Sequence, residues 1–204
     1  MTTTSINKQL FLKSLRNKFD SYSKLPEASW LLIKSIVTFQ TLKKCELLLR
    51  NGQIASQVHF VCKGAIRAYV TDYEGNIYNK NIFLENDFAG STVSYLKNKP
   101  SNFTLEALEE TILISLNYKK YRHFIDTNVG LKDFYIAYLE NNWVVEKEQR
   151  EIALVMENAT DRYLALLTKH PNIDQRIQQL HIAAHLGITP TQLSRIRKDL
   201  KKNS

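Results

Sequence analysis

The sequence predicts an α+β protein: N-terminal helices, a double-stranded, jelly-roll-like β-roll, one long helix and a C-terminal helix-turn-helix of the winged class. Three observations lead there. Apolar residues recur at helical spacing in the first forty residues and again beyond Asn117. Between them lie short runs rich in β-branched and aromatic residues, punctuated by Gly52, Gly64, Gly75, Asn86-Asp87 and Glu109-Glu110. The chain closes on "HIAAHLGITPTQLSRIRKDLKK", two helical runs parted by a glycine, the second strongly basic. The implied division is a roll over 1–125, a long helix over 126–158 and a helix-turn-helix over 159–204.

At the N-terminal end, Ile6, Leu10, Phe11, Leu15 and Phe19 form one amphipathic stripe. Trp30, Leu31, Ile33 and Val37 form a second, with Pro26 suited to open its helix. In the strand-rich middle, Ile66, Ala68 and Val70 alternate with Arg67, Tyr69 and Thr71, the pattern of half-buried antiparallel strands. One segment interrupts it. "DFAGSTVSYLKNKPS" has Gly90 before a short helical stretch and Pro100-Ser101 before the next strand, which makes a polar recess for a small ligand.

Residues 131–157 contain neither Pro nor Gly, and Leu131, Tyr138, Val145 and Ile152 recur every seven. Such a seam pairs a helix with its twin, or else packs it on its own domain. "ENATDRYLALLTKHP" then opens another helix, with Thr160 as the expected cap and Tyr163, Leu164, Leu166 and Leu167 inward.

The last helix has the clearest start signal. Thr189 suits the N-cap, Pro190 the first helical position, and Gln192 closes a capping box. Gly187 suits the left-handed C-cap of the helix before. Leu193, Ile196 and Leu200 share one arc, while Thr191, Ser194, Arg195 and Lys198 share the opposite one. Short polar side chains and Arg on one face fit a major groove, so the DNA-binding set is Thr189, Thr191, Gln192, Ser194, Arg195, Arg197 and Lys198. Thr191 and Arg195 are placed on bases; Arg197, Lys198, Lys201 and Lys202 are placed on phosphates. The bland alternative is a solvated basic helix at a chain end.

Charge agrees with a polyanion partner held at one place. Of 28 Lys/Arg and 20 Asp/Glu, giving a net +8, residues 1–50 hold nine basic and three acidic side chains, and 176–204 hold six and one. Two cysteines without metal spacing, no apolar leader and no window of about 20 apolar residues predict a reduced, cytoplasmic chain that does not enter the membrane. No nucleophile elbow, phosphate loop or H-E-x-x-H motif is present, so no enzyme, resident metal or cofactor is expected. His181 and His185 stand four apart but lack the intervening Glu.

The order of elements, together with "HFVCKGAIRAYVTDYEG", "LENDFAGS", "PSNFTLEALEET" and "DRYLALLTKHP…HIAAHLGITPTQLSRIRKDL", resembles the cyclic-AMP receptor / fumarate-nitrate regulator (Crp/Fnr) family of bacterial transcription factors over nearly the whole chain. That resemblance implies a homodimer on a two-fold site in double-stranded DNA, RNA polymerase as a further partner, and a sensor domain that biases the DNA heads. It also exposes departures. Gly90-Ser91 stands where cyclic-nucleotide-binding members carry Gly-Glu, and Pro100-Ser101-Asn102 where their phosphate-pairing Arg falls. The effector-pocket candidates are therefore Arg67, Gly90, Ser91, Thr92, Ser101 and Asn102, with Arg67 or Lys97 as the replacement cation. Neutral hydrogen bonds are about half as strong as charge-assisted ones, so cyclic AMP is expected not to bind in the usual way, and the effector is unidentified. The iron-sulfur branch needs about four Cys ligands, against the two in this chain. Only Lys201–Ser204 follow the last helix, from which a smaller DNA footprint is expected. A second reading is a ligand-binding or interaction module of the same fold with weakened DNA binding.

Overall fold

The computed structural model describes residues 3–202. Two helices come first, α1 (Thr3–Asp20) and α2 (Glu27–Ser35). Leu15 and Phe19 of α1 and Trp30 and Ile33 of α2 are buried, on the faces their spacing indicates. Eight strands follow: β1 (Val37–Leu42), β2 (Leu47–Leu49), β3 (Gln57–Lys63), β4 (Ile66–Thr71), β5 (Ile77–Phe83), β6 (Phe88–Ala89), β7 (Thr104–Ala107) and β8 (Thr111–Asn117). They form two four-stranded antiparallel sheets, ordered β1-β8-β3-β6 and β2-β7-β4-β5, closed over Val61, Ile66, Leu105 and Leu113. The helix α3 (Thr92–Lys97) sits between β6 and β7, as the interrupted strand pattern predicts. At the β3–β4 turn, Gly64 has φ +103, and a Cβ there would lie 2.4 Å from Thr111 Oγ1. No other residue fits that approach without displacing β8.

After the roll the chain is helical throughout. The helix α4 (Tyr118–Thr127) ends at Asn128, whose extended backbone and side chain restart the chain as α5 (Val129–Leu139). Asn128 Oδ1 accepts from the Leu131 N–H and from Ser29 Oγ, which ties the restart to α2. A π turn (Glu140–Val145) then joins α5 to α6 (Glu146–Met156), so one continuous helix spans 129–156 rather than 126–158. Its side chains explain the π turn. Asn141 Nδ2 donates to the Ala137 carbonyl and Asn142 Nδ2 to the Tyr138 carbonyl, both at 2.8 Å. Those carbonyls lie four residues back, where backbone N–H groups of a regular α-turn bond, and the backbone widens instead.

That widening corrects the seven-residue seam. One inserted residue rotates the following helix by roughly 100°, so positions on either side no longer share a face. Leu131 is fully buried and Tyr138 packs on Tyr22 and Phe88, inside the chain's own core. Val145 and Ile152 point outward, 47 % and 56 % exposed. Among the described residues the exposed apolar set on this helix is Val129, Ile136, Trp143, Val144, Val145, Ile152, Val155 and Met156.

The last four helices are α7 (Ala159–Lys169), α8 (Ile173–Arg176), α9 (Gln179–Leu186) and α10 (Pro190–Lys202). Asn158, not Thr160, caps α7, accepting from the Thr160 and Asp161 N–H groups. Among the described residues no strand follows β8, so the helix-turn-helix carries no wing. Its core of Tyr163, Ile173, Ile182, Leu186 and Leu193 continues without a break into Ala65, Ile82, Leu84 and Leu108 of the roll.

Candidate DNA interface and sensor cavity

The α9–α10 turn is built as its sequence signals require. Gly187 adopts φ 71, ψ 31, and the Ile188 N–H reaches back to the Ala183 carbonyl, closing α9 with a left-handed cap. The Gln192 N–H donates to Thr189 Oγ1 at 3.1 Å while the Thr189 N–H donates to Gln192 Oε1 at 2.8 Å, a reciprocal capping box. Leu193 anchors the inner face, with Ile196 and Leu200 half-buried beside it. Thr191, Ser194, Arg195 and Lys198 are exposed on the outer face, one helical row. Thr189 and Gln192 are exposed too, but Thr189 Oγ1 and Gln192 Oε1 are already used on each other.

Arg197 departs from its predicted role. Its guanidinium donates to Tyr163 Oη at 3.0 Å, to Gln179 Oε1 at 3.3 Å and to Asp174 Oδ1 at 2.5 Å. Tyr163 Oη in turn donates to Asp174 Oδ2. The other three helices of the bundle, α7, α8 and α9, are thus pinned by one side chain, because position 197 lies on the flank of α10 that turns toward α7 and α8. Arg197 is committed inside the fold, not free for a phosphate.

Polar contacts lock the helical bundle to the roll. Arg176 donates to both Glu85 oxygens at 2.8 and 2.9 Å and to Glu109. Burial alone raises Glu85, but the Arg176 and Gly64 donors outweigh it and hold this carboxylate below its ordinary value. Asn79 Nδ2 donates to the His181 carbonyl at 2.9 Å, and Arg67 donates to His181 Nδ1 at 3.1 Å. Burial, and then the Arg67 charge, lowers the His181 pKa, and burial drops His185 to about 4. Both rings are neutral, packed against the roll, and among the described residues no His, Cys, Asp and Glu cluster could hold a metal.

On the sensor side the predicted pocket residues do not converge. Arg67 is buried in an ion pair with Glu106 at 2.9 Å and faces the helical bundle. The Ser101 hydroxyl is turned to the Phe103 backbone, and the Thr92 hydroxyl to Tyr95 Oη. Ser101 is thereby spent on its own turn, Asn102 borders neither the cavity beside Gly90 and Ser91 nor the groove along α3, and Lys97 lies at the far end of α3. Only Gly90 and Ser91 border a cavity of about 570 Å³, whose other walls are Gln40, Leu49, Gln57, His59 and Leu105 with the 53–56 loop. Sequence reading missed His59 and Gln40, since a polar residue within a strand carries no sign of what it faces. A second, apolar groove of about 470 Å³ lies on the opposite side of α3, between Val93 and Leu96 and the Ile136–Val144 stretch.

The architecture is a β-roll joined through a long helix to a C-terminal helix pair. Residues 39–128 match the cyclic nucleotide-binding domain family. Among solved structures, FixK2 from Bradyrhizobium japonicum is similar at 19% identity and a TM-score of 0.68, over 82% of this chain and 86% of that one. The catabolite activator protein of Thermus thermophilus is similar at 19% identity and 0.55, over 89% and 86%. CLP of Xanthomonas campestris, a c-di-GMP responsive global regulator, is similar at 13% identity and 0.63, over 87% and 93%. No curated protein matches the sequence. The resemblance to Crp/Fnr regulators is thus borne out in the fold. No helix among the described residues is long and apolar enough to cross a membrane.

Proposed function

We propose that this chain is a sequence-specific DNA-binding transcription regulator, not an enzyme, that works as a homodimer on a two-fold duplex site. The carrying observation is the outer face of α10: Thr191, Ser194, Arg195 and Lys198 stand exposed in one row on a helix fixed by a capping box. Arg195 and Thr191 read base edges, and Lys198, Lys201 and Lys202 neutralise phosphates. Pairing runs along the long helix, whose exposed Ile136, Trp143, Val144, Val145 and Ile152 leave more apolar surface open than a helix meant for water. It sets the separation of two α10 helices, which must be near ~34 Å to enter successive major grooves.

The cavity supports a reading without the usual cyclic-AMP mode, since among the described residues no Lys or Arg borders it. Binding-site selection from a random duplex pool, with purified protein and nothing added, tests the proposal. Enrichment of a two-fold site supports it. A protein whose weak duplex binding is unaffected by Arg195→Glu is instead a sensor or interaction module.

A further inference from the structure

We propose that the cavity beside His59 is a binding site for an uncharged ligand carrying hydrogen-bond acceptors, such as a neutral amide or lactam ring. The inference goes beyond DNA binding and stands whether or not α10 reads a duplex. His59 is 6 % exposed, lies on β3, and borders the cavity. Its Nδ1 lies 2.8 Å from Ser115 Oγ and 3.3 Å from Gln40 Nε2. An amide nitrogen only donates, so Nδ1 accepts and the ring proton sits on Nε2. Among the described residues nothing accepts that Nε2–H; the buried ring holds an unused donor at the cavity wall.

Every residue bordering the cavity is uncharged: three glutamines, two serines, His59, Gly90 and five aliphatic residues. Burial lowers the His59 pKa to about 4, so the ring supplies no charge at neutral pH either. An anion entering here loses its hydration without meeting a cation, and a cation meets no carboxylate. A neutral ring loses little, gives a carbonyl to Nε2–H, and lies against Leu48, Leu49, Ile54 and Leu105. The volume of about 570 Å³ falls in the range of small-molecule sites. Gly90 and Ser91 connect the cavity to α3, whose Val93 and Leu96 line the apolar groove against the long helix.

The test uses matched pairs that differ in charge: nicotinamide against nicotinate, and uracil against orotate. Each is titrated to roughly millimolar levels into the full chain carrying ¹⁵N-labelled histidine and glutamine side chains. The expected result is saturable movement of the His59 Nε2 and Gln40 amide signals with at least one neutral member, and about tenfold or weaker binding of its anion. His59→Phe, which keeps a buried ring, should abolish the movement at Gln40; Gln57→Ala, at the rim, should weaken binding should the buried variant not fold. Movement with neither neutral probe, movement away from these residues only, or equal binding of the anions overturns the proposal.

Discussion

Arg195 and Arg197 lie two residues apart on one basic helix, one exposed and one bonded within the fold, and alanine at each separates the roles proposed for them. Arg195 is exposed and belongs to the outer row. Arg195→Ala should change stability by less than about 0.5 kcal/mol. It should cost about 1–3 kcal/mol of duplex binding per head and relax the site preference at the contacted position. Arg197→Ala removes three hydrogen bonds and leaves Asp174 facing only Tyr163. Bonds to charged groups contribute about 1.5–3 kcal/mol when buried. Here the arginine is 23% and the aspartate 31% exposed, and solvent screening reduces the expected loss to ~1–2 kcal/mol. On a chain of this size that lowers Tm by about 2–8 °C. Thermal melts and duplex titration across a salt series check both. The reasoning is refuted if Arg197→Ala melts like wild type while flattening the salt dependence of DNA binding, since that is the signature of a lost phosphate contact.

Three further outcomes follow from the geometry. Trp143→Ala with Val144→Asp should give monomers in sedimentation, whereas Leu131→Ala should cost about 2–5 kcal/mol of stability and leave association intact. Gly64→Ala should destabilise by ~2–4 kcal/mol because its Cβ meets Thr111, while Gly75→Ala, at φ +87 with nothing within 4 Å, should cost about 1 kcal/mol in the same urea titration. His185 has a folded pKa of about 4 against 6.5 in the unfolded chain, so the unfolded state takes up the proton first. Its contribution is complete above pH 6.5 and is lost as pH falls toward 4. Wild type should therefore lose about 2 kcal/mol more than His185→Gln between pH 7 and 5; equal losses in urea midpoints would show the ring is accessible.

What the sequence reveals here follows from how local each cause is. The capping box of Thr189 and Gln192 and the Gly187 turn are made between residues at most five apart, so their letters suffice. Strand punctuation and the short helix after Gly90 are legible for the same reason. The roles of Arg197, Arg67 and Ser101 are not. Arg197 is claimed by Tyr163 and Asp174, 34 and 23 residues away, and Arg67 by Glu106 and His181, 39 and 114 away. A basic letter on a basic helix does not reveal such partners. His59 was missed likewise, since its neighbours Gln40 and Ser115 are brought together only by strand pairing.

The seam failed for a different reason, and the failure bears on mechanism. A seven-residue repeat assumes a uniform helix, and the two asparagines in its middle break that uniformity by capturing carbonyls four residues back. Asn142 also exchanges hydrogen bonds with Tyr22 of the N-terminal segment, so the π turn is held from the sensor side. The same turn supplies Trp143 and Val144 to the groove under Val93 and Leu96 of α3. Beyond it, Arg150 of α6 donates to the Lys80 carbonyl on β5, the strand whose Asn79 holds His181 of the helix-turn-helix. Cavity, α3, the groove beneath it, the π turn, α6, β5 and α9 therefore follow one another in space. If the π turn relaxed to a regular α-helix, everything after it would turn by roughly 100° and Arg150 could not keep Lys80. A ligand that moves Ser91 should reach α10 only where the π turn also takes a regular α-helical setting, and loss of the Arg150–Lys80 hydrogen bond on ligand addition would report that change.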